Sequence, residues 1–135
     1  MTDQKTIVCL DDDPDDRELL TSAIKDVDSS FKVINGDNGI KGLYILEQMM
    51  QIGQKPSLII LDLNMPLMDG QQTLIEIKKK PGLEKIPVVI FTTSAMEKNN
   101  QFFSDKGVPV VIKPVKYGSI VEQVRELISY INRES

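Results

Sequence analysis

The 135-residue chain contains no histidine and a single cysteine, Cys9. Without histidine there is no Ser-His or Cys-His catalytic pair and no imidazole metal ligand. One cysteine cannot form an intrachain disulfide. Lying in the apolar run of residues 7–10, Cys9 reads as a small buried hydrophobe in a reducing compartment. Long apolar runs are missing as well: nothing approaches a bilayer span, and the polar residues after Met1 do not make a signal peptide. A cytoplasmic location is expected. Basic charge is scarce too. Sixteen Lys and Arg against 20 Asp and Glu leave a net charge of −4. Direct DNA binding and a polybasic membrane contact are therefore not expected. No linker, internal repeat or low-complexity tract divides the chain.

What is present is ordinary globular composition, 41% hydrophobic and 27% charged, at a length that suits one domain with one core. Short apolar runs at residues 7–10, 31–34, 58–62, 88–91 and 108–112 read as buried strands. Each is followed by a helical pattern. Asp13 and Pro14 open the first helix, whose apolar stripe is Leu19, Leu20, Ala23, Ile24 and Val27. A second carries Leu43, Leu46, Met49 and Met50, with Ile40, Tyr44 and Ile45 nearby, and ends at Gly53. The third runs from Asp69 to the breaker Lys80-Pro81-Gly82, the fourth is weak over residues 95–105, and the last holds Ile120, Val124, Leu127 and Ile131 before a fraying end at 132–135. Five β-α repeats predict a parallel sheet with helices on both faces, a three-layer α/β/α sandwich.

In such a sheet all the strand carboxyl ends lie on one edge, where ligands bind. Four of the five strands end in residues that handle charge: Asp11 and Asp12, then Asp62, Thr92 and Lys113. Each alone is commonplace. An acid before a helix is often only a cap, and Asp15, Asp16, Glu18 and Asp28 read as a solvated helix face. Together, the carboxylates must be neutralised. An oxygen-only donor set suits a hard cation, with Mg²⁺ taking one or two carboxylates and keeping several waters. Thr92 adds a hydroxyl and Lys113 a compact cation able to pair with phosphoryl oxygen. An Asp nucleophile in that company suits phosphoryl transfer.

The segments IVCLDDDP, LDLNMPLMDG, IPVVIFTTSA and VVIKP, in that order, make the chain resemble the receiver domain of two-component response regulators, of the kind represented by the single-domain chemotaxis regulator. The resemblance covers residues 7–131 and implies a flavodoxin-like sheet of order 2-1-3-4-5 with five helices. It implies that Asp62 accepts phosphate from a phosphohistidine of a sensor histidine kinase or phosphotransfer protein, since this chain has no histidine of its own. Asp12 would bind Mg²⁺ directly, Asp11 through water or as a supporting acid, with Asp62 and the main-chain carbonyl of Asn64 completing the set. Thr92 and Lys113 would contact the phosphoryl group, and the Lys113–Pro114 bond would be cis. One receiver domain filling residues 1–135 leaves no output domain, so the expected output is phosphorylation-dependent protein binding or onward relay, by a monomer or weak dimer. Helix one and the region 95–117 are the expected partner faces.

Two positions depart from the family. Val110 stands where an aromatic residue often couples to the hydroxyl residue, and Thr93 stands where a smaller residue is usual. Two rival readings are a Mg²⁺-dependent phosphohydrolase and a receiver-like interaction module locked in one state. The first needs a general acid two residues after the nucleophile, where Asn64 has no proton to give; the second does not call for a complete acidic site.

Overall fold

A computed structural model describes residues 5–114 and 120–131. Five parallel strands form one sheet in the order β2-β1-β3-β4-β5. They are β1 (Thr6–Leu10), β2 (Lys32–Gly36), β3 (Leu58–Leu61), β4 (Val88–Thr92) and β5 (Val110–Ile112). Helices α1 (Pro14–Val27), α2 (Gly39–Gln51), α3 (Gly70–Lys79), α4 (Gln101–Asp105) and α5 (Ile120–Ser129) follow them in turn. This is the flavodoxin-like architecture expected.

The central strands β1, β3 and β4 are largely apolar because their two faces feed two cores, with alternate residues pointing to opposite sides, whereas the edge strand β2 carries exposed Lys32 and Asn35. Val8, Leu10, Ile59, Leu61, Val88 and Ile90 join Leu46 and Met49 of α2, Leu74 and Ile77 of α3, and Phe103 of α4. Ile7, Cys9, Leu58, Ile60, Val89 and Phe91 join Leu20, Ala23 and Ile24 of α1 and Ile120, Val124 and Leu127 of α5. At about 25 cal/mol per Å² of apolar surface, this two-sided burial is the main force holding the strand ends in register. Cys9 is fully buried, and burial, with Asp11 nearby, pushes its thiol well above the usual range.

Several local expectations are revised. Residues 95–105 are not one helix: a 3-10 turn (Ala95–Asn99) gives way to α4, whose start Asn100 caps by accepting from Phe102 N–H at 2.8 Å. The 3-10 form suits so few apolar residues, since a longer helix would have no stripe to bury. β5 begins at Val110, because Pro109 has no N–H for the ladder, although its carbonyl accepts from Ile90 N–H at 2.9 Å. Ile40 and Tyr44 of α2 face solvent. Gly53 ends α2 at φ 75°, as a left-handed C-cap should. The expectations for Tyr117 and for residues 132–135 lie outside the described residues.

Candidate functional site

Asp11 comes immediately after β1. Its N–H donates to the Gly36 carbonyl at 3.0 Å, and its own carbonyl accepts from Arg17 Nη1 at 2.7 Å, so the backbone is fixed from two sides. Its side chain is buried, with Oδ1 accepting from Asp13 N–H at 3.0 Å. Asp13 in turn caps α1, accepting from the N–H groups of Asp15 at 2.9 Å and Asp16 at 3.3 Å. Asp12, between them, is exposed.

Asp62 comes immediately after β3, its N–H bonded to the Leu10 carbonyl at 2.9 Å and its Oδ1 accepting from Leu63 N–H at 2.7 Å. The loop beyond it turns sharply. Met68 N–H donates to the Pro66 carbonyl at 2.7 Å across Leu67, which has φ 67°. That is a γ-turn of the positive-φ kind, a strained form for a residue with a side chain. A capping box then starts α3: Asp69 Oδ1 accepts from Gln72 N–H at 2.9 Å, and Gln72 Oε1 accepts from Asp69 N–H at 3.2 Å. Gly70 lets the helix begin hard against the acceptor strand. A Cβ there would lie 2.3 Å from the Asp62 carbonyl oxygen and 2.7 Å from Leu63 Cα.

Lys113 follows β5 and ties the edge together. Its N–H donates to the Thr92 carbonyl at 2.7 Å, while its ammonium reaches Asp11 Oδ2 at 2.6 Å, Asp16 Oδ2 at 2.9 Å and Asp62 Oδ2 at 3.3 Å. Thr92 is fully buried at the end of β4, and its Oγ1 accepts from Ser94 N–H at 3.3 Å. Asn64 lies exposed two residues past Asp62. Residues far apart in sequence are thus brought to one edge by strand ends alone.

The charges do not balance. Burial raises the Asp62 carboxyl to about 6; Lys113 opposes that rise and Asp11 adds to it. Burial also works against the Lys113 ammonium, but hydrogen bonds to Asp11 and Asp16 outweigh it and hold the lysine protonated above its usual range. One ammonium faces several carboxylates. Single oxygens from Asp11, Asp12 and Asp62 lie within 4.8 Å of one another, a spacing and donor chemistry that fit one hard divalent cation.

Two site expectations change. Asp16 is not a free member of a solvated face, because it accepts from Lys113. The sequence did carry a signal for this: Asp16 lies four residues before Leu20 and eight before Ile24, so it continues the buried stripe of α1 one turn toward the sheet edge. The Lys113–Pro114 bond is trans, since no cis peptide occurs among the described residues. The lysine is placed instead by its backbone bond to Thr92 and by the three carboxylates. Val110 is half-buried and packs, with Phe102 of α4, against the core on the α2–α3 side.

The family model for the response regulator receiver domain matches residues 7–125. The chain belongs to that family. This receiver domain is 36% identical over 95 residues to response regulator Rcp1 of Synechocystis sp., covering 69% of this chain and 65% of Rcp1. The match therefore spans just under two thirds of that relative. Among solved structures, it superposes on the phosphorylated cyanobacterial phytochrome response regulator RcpA with a TM-score of 0.84 and 27% identity, covering 98% of this chain and 97% of that one. The Mn²⁺-bound form of Rcp1 gives a TM-score of 0.79 at 29% identity, covering 93% of each chain. The receiver resembles proteins solved in phosphorylated and in metal-bound forms. No helix among its described residues is long and apolar enough to cross a membrane.

Proposed function

We propose that this receiver accepts a phosphoryl group on Asp62 from the phosphohistidine of a sensor histidine kinase or phosphotransfer protein, in a Mg²⁺-dependent reaction. The observation that carries the reading is the placement of the buried Asp62 carboxylate against Asp11, Asp12 and the Lys113 ammonium. Asp62 Oδ1 already accepts a hydrogen bond from Leu63 N–H, which leaves Oδ2, on the Lys113 side, as the attacking atom. That oxygen forms the O–P bond as the donor's N–P bond breaks, and the imidazole leaves with its electron pair. Asp11, Asp12, Asp62 and the Asn64 carbonyl would hold Mg²⁺. When bound, the ion supplies positive charge against the phosphoryl oxygens. Lys113 stays protonated and pairs with a phosphoryl oxygen, and the Thr92 hydroxyl donates to another. Asn64 can neither protonate a leaving group nor take a proton from an attacking water, which disfavours rapid phosphohydrolase turnover.

The signal leaves by phosphorylation-dependent binding of a protein partner or by onward transfer in a relay, a two-state population shift biased by the new phosphoryl contacts. The similarity to the phytochrome response regulator RcpA makes a phytochrome the first sensor class to try as donor. The test is intact mass after incubation with Mg²⁺ and acetyl phosphate. Wild type gains one phosphoryl group, and Asp62→Asn gains none. An unmodified wild type, or a modified Asp62→Asn, sinks the proposal.

A further inference from the structure

Among the described residues, Asp16 is the carboxylate that pairs with Lys113 from outside the metal-ligand cluster of Asp11, Asp12 and Asp62, and it lies closer to the ammonium than Asp62 does, 2.9 Å against 3.3 Å. Its backbone is held by the Asp13 cap in the first turn of α1. Its side chain is 38% exposed and the lysine side chain 9%. A small cavity of about 50 Å³ lies beside the pair, lined also by Leu19, Phe91, Pro114 and Ile120. An ammonium has three N–H donors, and here three carboxylates take them.

Those three contacts are not equivalent. The one to Asp62 is the longest, and it is the one a phosphoryl oxygen on Asp62 would replace. A divalent cation in the cluster draws on Asp11 and Asp62, the lysine's two other partners. Asp16 alone is left to Lys113 in both circumstances. A lysine on a flexible four-carbon stem otherwise loses its place when its partners are claimed.

We propose that Asp16 is a positioning residue for phosphoryl acceptance: it anchors the Lys113 ammonium beside the acceptor so that the lysine trades Asp62 for a phosphoryl oxygen without moving away. The inference rests on the reading of Asp62 as acceptor. No proton passes through Asp16. The O–P bond forms and the donor–P bond breaks as above, with Lys113 protonated throughout.

The experiment is a double-mutant cycle read with beryllofluoride, a phosphoryl mimic, titrated by NMR in the presence of Mg²⁺. The proteins are wild type, Asp16→Asn, Asp16→Glu, Lys113→Met and Asp16→Asn with Lys113→Met, each first shown to be folded by circular dichroism. Asp16→Asn is expected to weaken the mimic about tenfold, Asp16→Glu to recover most of that, and Asp16→Asn to do nearly nothing once Lys113 is Met. Mg²⁺ affinity without the mimic, measured by calorimetry, should fall by clearly less than the mimic affinity, because Asp16 stands outside the ligand cluster and its charge reaches the metal only past the Lys113 ammonium that it pairs with. The inference is overturned by an equal loss in the Lys113→Met background, by a parallel collapse of Mg²⁺ affinity, or by no loss at all. A wild type that gains no phosphoryl mass from acetyl phosphate defeats the acceptor reading instead. A phosphorylated wild type with an uncoupled cycle defeats only the role of Asp16.

Discussion

Replacing Asp62 by Asn removes a charge that the folded chain holds at a cost. In the fold its carboxyl keeps the proton up to about 6, whereas the ordinary carboxylate value is 3.8, and burial is the main cause. Because the folded value is the higher one, the native state binds this proton more tightly than the unfolded state. The stability that Asp62 contributes is therefore fully present below about pH 4 and lost as the pH rises through about 6. The gap corresponds to at most about 3 kcal/mol at neutral pH, and solvent at the mouth of the site reduces it to about 1–2 kcal/mol. Asparagine is nearly the same shape, and its carbonyl oxygen can still accept from Leu63 N–H. In metal-free buffer at pH 7.5, Asp62→Asn is expected to be more stable in urea denaturation by about 1–2 kcal/mol, and in thermal melts by about 3–8 °C. At pH 4.5 the gain should fall to about a third, because wild-type Asp62 is then protonated in the fold. Adding Mg²⁺ should narrow the difference at pH 7.5 by stabilising wild type more than the variant. A variant less stable than wild type at pH 7.5, or a gain as large at pH 4.5, would falsify this account of the site's electrostatics.

Gly70→Ala should cost more than about 3 kcal/mol in urea denaturation despite alanine's better helix propensity, because its Cβ would lie 2.3 Å from a backbone oxygen that carries the acceptor segment. Unchanged stability would mean that the start of α3 is not seated against Asp62. Leu67 is 80% exposed, so its substitution should matter only through the backbone at φ 67°. Leu67→Ile should therefore cost about 1–2 kcal/mol while Leu67→Gly is tolerated, and equal stability of all three proteins would contradict the strained turn. Cys9, buried with its thiol pushed well up, should resist iodoacetamide in the native protein and react in denaturant; rapid native labelling by mass would show that β1 opens readily.

The sequence by itself determined the layered architecture and which residues gather at the sheet edge, since both are written in local patterns. Apolar runs alternating with helices make parallel strands between two cores, and the residue after each run must stand at the carboxyl edge of the sheet whatever the details of docking. That places Asp11, Asp62, Thr92 and Lys113 on one edge without any knowledge of contacts. The sheet order came from family resemblance rather than from periodicity. Tertiary structure alone decided what depends on how distant elements meet. Whether an acid in the first turn of α1 faces solvent or Lys113 turns on the rotation of that helix. Leu20, Ala23 and Ile24 set that rotation by docking on the sheet, and the partner lies 97 residues away in sequence. The raised Asp62 carboxyl has the same origin, because burial and the nearness of Asp11 and Lys113 exist only in the folded chain. Neither the trans Lys113–Pro114 bond nor the division of residues 95–105 was read from the sequence, although both follow local preferences. Strand ends specify which residues gather, and the docking of helices against the sheet specifies which carboxylate holds the lysine.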